Sequence, residues 1–246
     1  MPASPIALAG VLFDKDGTLL DFDATWGPAT REVLETLAGG DAGRFRALAE
    51  IGGYLPDSGS FRPDSPIIGG DTTEFAPAWA LILGKAPDEA FADQVNHLYR
   101  AASLRHLTAY DDVGPVIEGL RAEGLAVGLA TNDSERTARA HLGALGLLDR
   151  FGYIAGYDSG WGGKPQPGMV TAFAVHAKAD PQAIVLVGDS PHDIEAARRA
   201  GAFAIGIART RRAADTLGNS PDLVIGSLAE LPEALASRFA LPARVA

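Results

Sequence analysis

Apolar and polar positions follow two different rhythms along this chain. From Tyr110 onward, short apolar runs alternate with amphipathic stretches. The pattern predicts helix 112–123, strand 125–130, helix 134–145, short strand 152–155 and helix 167–178. It continues with strand 183–188, helix 191–200, strands 203–207 and 222–225, and helix 227–236. The apolar run 6–13 adds a strand at the start. Such alternation predicts an α/β fold, a parallel sheet covered on both faces with right-handed crossovers. Between about 21 and 105 helical patterns take over: Thr25–Leu37, Ala42–Ile51, Thr73–Leu83 and Pro87–Leu104, with Asp23 and Asp71 as caps before the first and third. The Gly/Pro/Ser-rich stretch Gly52–Pro66 reads as a long loop, and an aperiodic loop of that length is usually functional or mobile. The chain therefore divides into a core of 1–20 with 106–246 and an inserted helical domain of 21–105, and the tail from Ser237 reads as frayed.

Chemistry-bearing residues stand where the apolar runs end. Val11-Leu12-Phe13 runs into Asp14-Lys15-Asp16-Gly17-Thr18, with Gly17 as the break. Open α/β sheets place ligands at such carboxyl ends. Alternation turns Asp14 and Asp16 to one side and sends Lys15 to the other. Two close carboxylates repel, so the pair favours a cation or a shared proton. One acid can then attack while its neighbour handles protons. Three further segments supply what such a site needs: Leu125–Ala130 ending in Thr131-Asn132, Lys164 within Gly163–Pro167, and Ala183–Gly188 ending in Asp189 with Asp193 four residues on. Each has an ordinary alternative: an Asp/Gly turn at Asp14–Gly17, helix N-caps at Thr131, Asn132 or Asp189, a solvated Lys164, and a first-turn Asp193 favoured by the helix dipole.

An acid pair, a hydroxyl, a lysine and a second acid pair, in that order, resemble the haloacid dehalogenase superfamily of phosphohydrolases. The likeness covers nearly the whole chain, extends to Arg198–Ala202 and Pro221–Ile225, and is nearest to the phosphoglycolate phosphatase-like branch. The resemblance implies a doubly wound, Rossmann-like core and a smaller α-helical cap that closes over the active site, with hinges near Leu20–Asp23 and His106–Asp111. It implies Asp14 as nucleophile and Asp16 as general acid and base, the residue that separates phosphatases from dehalogenases and from phosphonoacetaldehyde cleavage. It places Mg2+ on the Asp14 carboxylate, the Asp16 backbone carbonyl and Asp189, with Asp193 positioning Lys164 or a metal-bound water. Thr131, the amides around Asn132, and Lys164 would hold the phosphate. The position of Lys15 is often apolar in the superfamily, and no chemistry is assigned to it. The DK-x-G-T run also looks like the phosphorylated loop of P-type ion pumps, a class that the lack of membrane spans excludes. Arg62, on the long loop, is the candidate contact for a substrate carboxylate, with Arg31 and His106 as further cap- or hinge-side groups; solvated surface roles compete for all three. His97, His141 and His176 receive no role, and Trp26, Trp79 and Trp161 read as packing residues.

Composition narrows the setting. The chain has 246 residues, 47% of them hydrophobic, and no cysteine, which excludes thiolate catalysis and disulfides. No apolar stretch approaches the ~20 residues of a membrane span. The first apolar run leads straight into the acids and reads as a strand, not a signal peptide. A cytoplasmic protein is expected. The formal net charge of −10, with no basic stripe, argues against nucleic acid. The expectation is a Mg2+-dependent phosphatase acting on a small phosphorylated metabolite through an aspartyl-phosphate, as a monomer or homodimer. The alternatives are a sugar phosphomutase of the β-phosphoglucomutase kind and a catalytically dead binding scaffold.

Overall fold

The computed structural model describes residues 6–69 and 72–242. In chain order it contains β1 (Gly10–Phe13), α1 (Phe22–Ala38), α2 (Ala42–Gly52), β2 (Tyr54–Leu55), β3 (Ser60–Phe61), α3 (Pro66–Gly69), α4 (Thr72–Ile82) and α5 (Glu89–Arg105). There follow α6 (Val113–Ala122), β4 (Ala126–Ala130), α7 (Glu135–Ala144), β5 (Tyr153–Ala155), α8 (Gly168–His176) and β6 (Ile184–Gly188). The last elements are α9 (Pro191–Ala200), β7 (Phe203–Ile207), α10 (Arg211–Leu217), β8 (Leu223–Ile225) and α11 (Leu231–Ala236). Two compact units result, Met1–Leu20 with Ala109–Ala246, and Asp21–Thr108.

The first unit is a doubly wound, Rossmann-like sheet of six parallel strands in the order β5-β4-β1-β6-β7-β8. The chain builds β4 and β5 on one side of β1, then crosses to build β6, β7 and β8 on the other. The strand order thus reverses at β1, and β1 is where such a sheet opens a ligand crevice. Register fixes what meets there: Phe13 lies opposite Leu129 and Val187, so the residues just past β1, β4 and β6 come out side by side. Pleating divides the buried side chains. Val11, Phe13, Val127, Leu129, Val185 and Val187 pack with Ile117 of α6 and Leu142 of α7. Leu12, Ile184 and Leu186 pack on the other face with Phe173 of α8 and Ile194 of α9. Phe173 lies so close to β4 that a Cβ on Gly128 would come within 2.6 Å of its ring.

The second unit is helical, built around the buried Trp79, whose indole N–H donates to Leu48 O at 3.0 Å. Phe75, Tyr99, Leu34 and Val95 complete its core. Among the described residues, no helix is long and apolar enough to cross a membrane.

Several expectations need correction. The cap of α1 is Asp21, whose carboxylate accepts from Ala24 N at 3.0 Å, while Asp23 lies inside the first turn. Asp71, the expected cap of the third helix, lies outside the described residues. The stretch 52–66 is not structureless: β2 and β3 pair antiparallel, Tyr54 opposite Phe61, and α3 begins at Pro66. Strand β1 is shorter than 6–13, because Leu8 N bonds to Ala240 O at 3.0 Å and only an isolated bridge forms at Ala7. The same contacts, with Phe239 packed edge-on against Phe203, tie down the described part of the tail. Helix α10, capped by Thr210, is additional.

Candidate active site

Asp14 follows β1 directly, and its backbone N–H donates to Val187 O at 2.8 Å, continuing the ladder. Its carboxylate is buried, and Oδ1 accepts from Lys164 Nζ at 2.5 Å. The same ammonium donates to Asp193 Oδ1 at 2.6 Å and to Ala130 O at 2.8 Å, so its three protons are all used. Lys164 comes from the segment before α8. Asn132 pins that segment from β4's tip, its amide accepting from Lys164 N at 2.7 Å and donating to Lys164 O at 2.9 Å.

Asp189 follows β6. Its carboxylate presses on the backbone of Gly17, where a Cβ would lie 2.1 Å from Oδ2. Gly17 also has φ +82°, so both close approach and conformation call for glycine. The N-cap of α9 is Ser190 rather than Asp189. Asp193, in that helix's first turn, serves twice: Oδ2 accepts from Ser190 N at 3.1 Å and Ser190 Oγ at 2.6 Å, and Oδ1 holds Lys164.

Asp14, Asp189 and Asp193 each offer an oxygen within 4.8 Å of the others. Three carboxylates thus face one ammonium. Burial first, then the neighbouring carboxylates Asp193 and Asp16, push Asp14 up to about 7 against the pull of Lys164. Asp189 is raised for the same reasons, burial first and then Asp14 and Asp193. Burial works against the charge on Lys164, but Asp14 and Asp193 outweigh it and keep the ammonium protonated. A buried, oxygen-only cluster with surplus negative charge suits a hard divalent cation.

Thr131, buried at the tip of β4, donates its N–H to Ala155 O at 3.0 Å. Its hydroxyl accepts from Asp133 N at 3.0 Å, which leaves the O–H to donate. Neither Thr131 nor Asn132 caps α7; Ser134 does, accepting from Thr137 N at 3.2 Å.

Lys15 overturns the alternation argument. Its Nζ lies 2.8 Å from Asp16 Oδ2, 2.9 Å from Asp133 Oδ2 and 3.1 Å from His141 Nδ1, and the side chain is fully buried. The pleat ends at Phe13 and the chain turns through Gly17, so alternation no longer governs where Lys15 points. Asp133 and His141 are the functional-site neighbours that pattern reading missed. The available signal was the lysine itself: a cation in an apolar register needs acid partners once buried. Since an ammonium only donates, His141 Nδ1 accepts, and burial holds its ring neutral, lowering it to about 3.

The cap-side candidates lie in the second unit, each engaged locally. Arg62 Nη1 lies 2.6 Å from Glu50 Oε1, Nη2 donates to Glu50 O at 2.8 Å, and Nε lies 3.5 Å from Asp64. Arg31 donates to Pro56 O, and His106 Nε2 lies 3.3 Å from Glu32 Oε2. Trp161, shortly before Lys164, is half exposed rather than packed.

A parallel sheet with Asp, Thr and Asp at the tips of its three middle strands, and a buried lysine on the first acid, defines an α/β enzyme whose chemistry rests on carboxylates. The chain belongs to the haloacid dehalogenase-like hydrolases, whose family model matches residues 8–201. It is 28% identical over 248 residues to the phosphoglycolate phosphatase of Shigella boydii, covering 93% of this chain and 92% of that one. Among solved structures it resembles a 2-haloacid dehalogenase from Pseudomonas syringae, with 28% identity, a TM-score of 0.67, and coverage of 94% and 99%. A protein assigned as a β-phosphoglucomutase from Thermotoga maritima shares the fold, with 21% identity, a TM-score of 0.66, and coverage of 94% and 99%.

Proposed function

We propose that this chain is a phosphatase that hydrolyses a small phosphate monoester through an aspartyl-phosphate on Asp14. The reading rests above all on one observation: the carboxylate at the tip of the central strand is buried against Lys164, beside Asp189 and Asp193. Asp14 attacks phosphorus and the ester oxygen leaves as an alkoxide. Asp16 delivers a proton to that oxygen, then takes one from the water that attacks the acyl-phosphate. The Thr131 hydroxyl and the amides around Asn132 hold the phosphoryl oxygens, whose charge grows in the transition state, and Lys164, its three protons given to Asp14, Asp193 and Ala130 O, offsets that charge from beside Asp14. Mg2+, held by Asp14, Asp189 and the Asp16 carbonyl, would offset the repulsion between carboxylate and phosphate. Asp193 keeps Lys164 aimed at Asp14.

Asp16 supports phosphoryl transfer over dehalogenation. A halide leaves as a stable anion, whereas an alkoxide needs a proton. The relatives make 2-phosphoglycolate the first substrate to try. Residues 21–108 would act as the cap that selects it, with Arg62 exchanging Glu50 for a substrate carboxylate. The test is phosphate release from a panel of phosphorylated metabolites with Mg2+, for the wild type and Asp14→Asn. One strong substrate, lost in the variant, supports the reading. An isomer formed without free phosphate, dependent on a bisphosphate primer, replaces it with a mutase; no product from any compound overturns both.

A further inference from the structure

Lys15 is charged, buried and unused by the chemistry above. Burying an ammonium is unfavourable unless its partners are well placed, and an apolar side chain would avoid that cost. Its partners come from three separate places: Asp16 after β1, Asp133 after β4, and His141 within α7. Three bonds from one tetrahedral nitrogen leave it little freedom, so the positions of the three acceptors become mutually dependent.

Asp133 is in turn the anchor of the Thr131 loop. Its N–H donates to Thr131 Oγ1 at 3.0 Å, its Oδ1 accepts from Ser134 N at 2.7 Å, and its carbonyl accepts from Tyr157 N at 3.1 Å. Because Asp133 N–H occupies one lone pair of Thr131 Oγ1, it sets the direction in which the hydroxyl can donate. A shift of Asp133 therefore reaches the group placed to hold phosphate.

We infer that Lys15 is a positioning residue: it ties the acid Asp16 to the Thr131 loop, so that the proton-handling group and the phosphate-holding group are set by one buried ammonium. The two acids of the first motif are held by different lysines, Asp14 by Lys164 and Asp16 by Lys15. The catalytic half of the inference rests on the phosphatase reading; the tie itself does not.

Both halves are tested on the full chain with Lys15→Met, which keeps length and removes the charge. Amide hydrogen exchange at 131–134 is expected to quicken about tenfold or more, with β4 and β6 unchanged. On the best phosphate ester, kcat is expected to fall about 10- to 100-fold, with KM within about threefold. Should Lys15→Met fail to fold, His141→Leu, which removes one acceptor, is expected to show the same split, and His141→Gln, which keeps an acceptor, to restore it. Unchanged exchange at 131–134, or a change spread evenly over the unit, overturns the tie. Unchanged kcat in a protein whose loop has loosened overturns the positioning role. A wild type that turns over nothing overturns the phosphatase reading and with it the catalytic half, while exchange still decides the tie.

Discussion

Asp189 Oδ2 lies against the α-carbon of Gly17, at a distance where no side chain fits: an added Cβ would stand 2.1 Å away. The turn that follows the first acid pair and the strand tip that carries Asp189 are therefore fitted to each other. Gly17→Ala meets this contact and a φ of +82° at once. The backbone alone costs about 1–2 kcal/mol in the left-handed region, and the displaced carboxylate adds to it. The expected outcome is a lowered melting temperature, together with a Mg2+ concentration for half-maximal phosphate release raised about tenfold or more. A variant with wild-type Mg2+ dependence would show that Asp189 does not depend on this fit.

The acid cluster predicts how protons and metal compete. Burial, against the pull of Lys164, lifts Asp14 to about 7, and Asp189 is raised for kindred reasons. A raised carboxyl binds a proton in the folded state that the unfolded chain has released. Without metal, both groups therefore stabilise the fold as pH falls toward their ordinary values near 4, Asp14 from about 7 downward. A divalent cation replaces those protons, so its stabilising effect should grow with pH. The shift in melting temperature caused by Mg2+ is expected to be larger at pH 8 than at pH 5.5. An equal shift at both would place the cation elsewhere.

Arg209 predicts a purely structural loss. Its guanidinium grips Asp112 with two bonds, at 2.7 and 3.0 Å, donates to Thr18 O at 3.0 Å, and covers the Tyr110 ring at 3.8 Å from the centroid. Asp112 also accepts from Leu228 N at 2.8 Å. Arg209→Met removes the fork and leaves Asp112 with only the Leu228 and Ala229 amides, at a cost of about 3 kcal/mol. Arg209→Lys is expected to recover little, because a point charge cannot serve a planar two-point grip and a ring together. Denaturant unfolding of the two variants checks this.

How much of this was legible depended on where each residue stands relative to a regular element. Asp14, Thr131 and Asp189 each end an apolar run, and a parallel sheet sends such ends to one edge, so pattern alone brought them together. Lys15 sits two residues past Phe13, where the pleat has stopped, and a period-two argument has no force there. Asp21 and Asp23 are both good caps, and only the backbone angles decide between them. Strands β2 and β3 are two residues each, too short for any period to register. Helix α10 buries only Ala213 and Leu217, leaving no stripe to detect.

His141 carries the last prediction, and its sign follows from burial. The ring is fully buried, faces Lys15 Nζ at 3.1 Å, feels Asp16 as a weaker opposing influence, and is lowered from 6.5 to about 3. In the unfolded chain it takes up a proton as pH falls through about 6.5; in the folded state it stays neutral until about 3. Through this ring the unfolded state binds more protons across that window, so the imidazole's contribution to stability falls as pH falls. Between pH 7.5 and 5 the contribution amounts to about 2 kcal/mol from this one group. His141→Gln keeps an acceptor for Lys15 and cannot titrate, so the loss should vanish in the variant while the carboxylates titrate as before. The difference between wild-type and variant unfolding free energies, followed from pH 7.5 to 5, isolates the imidazole. Parallel curves would mean that the ring is protonated within the fold, and that Lys15 does not occupy its Nδ1.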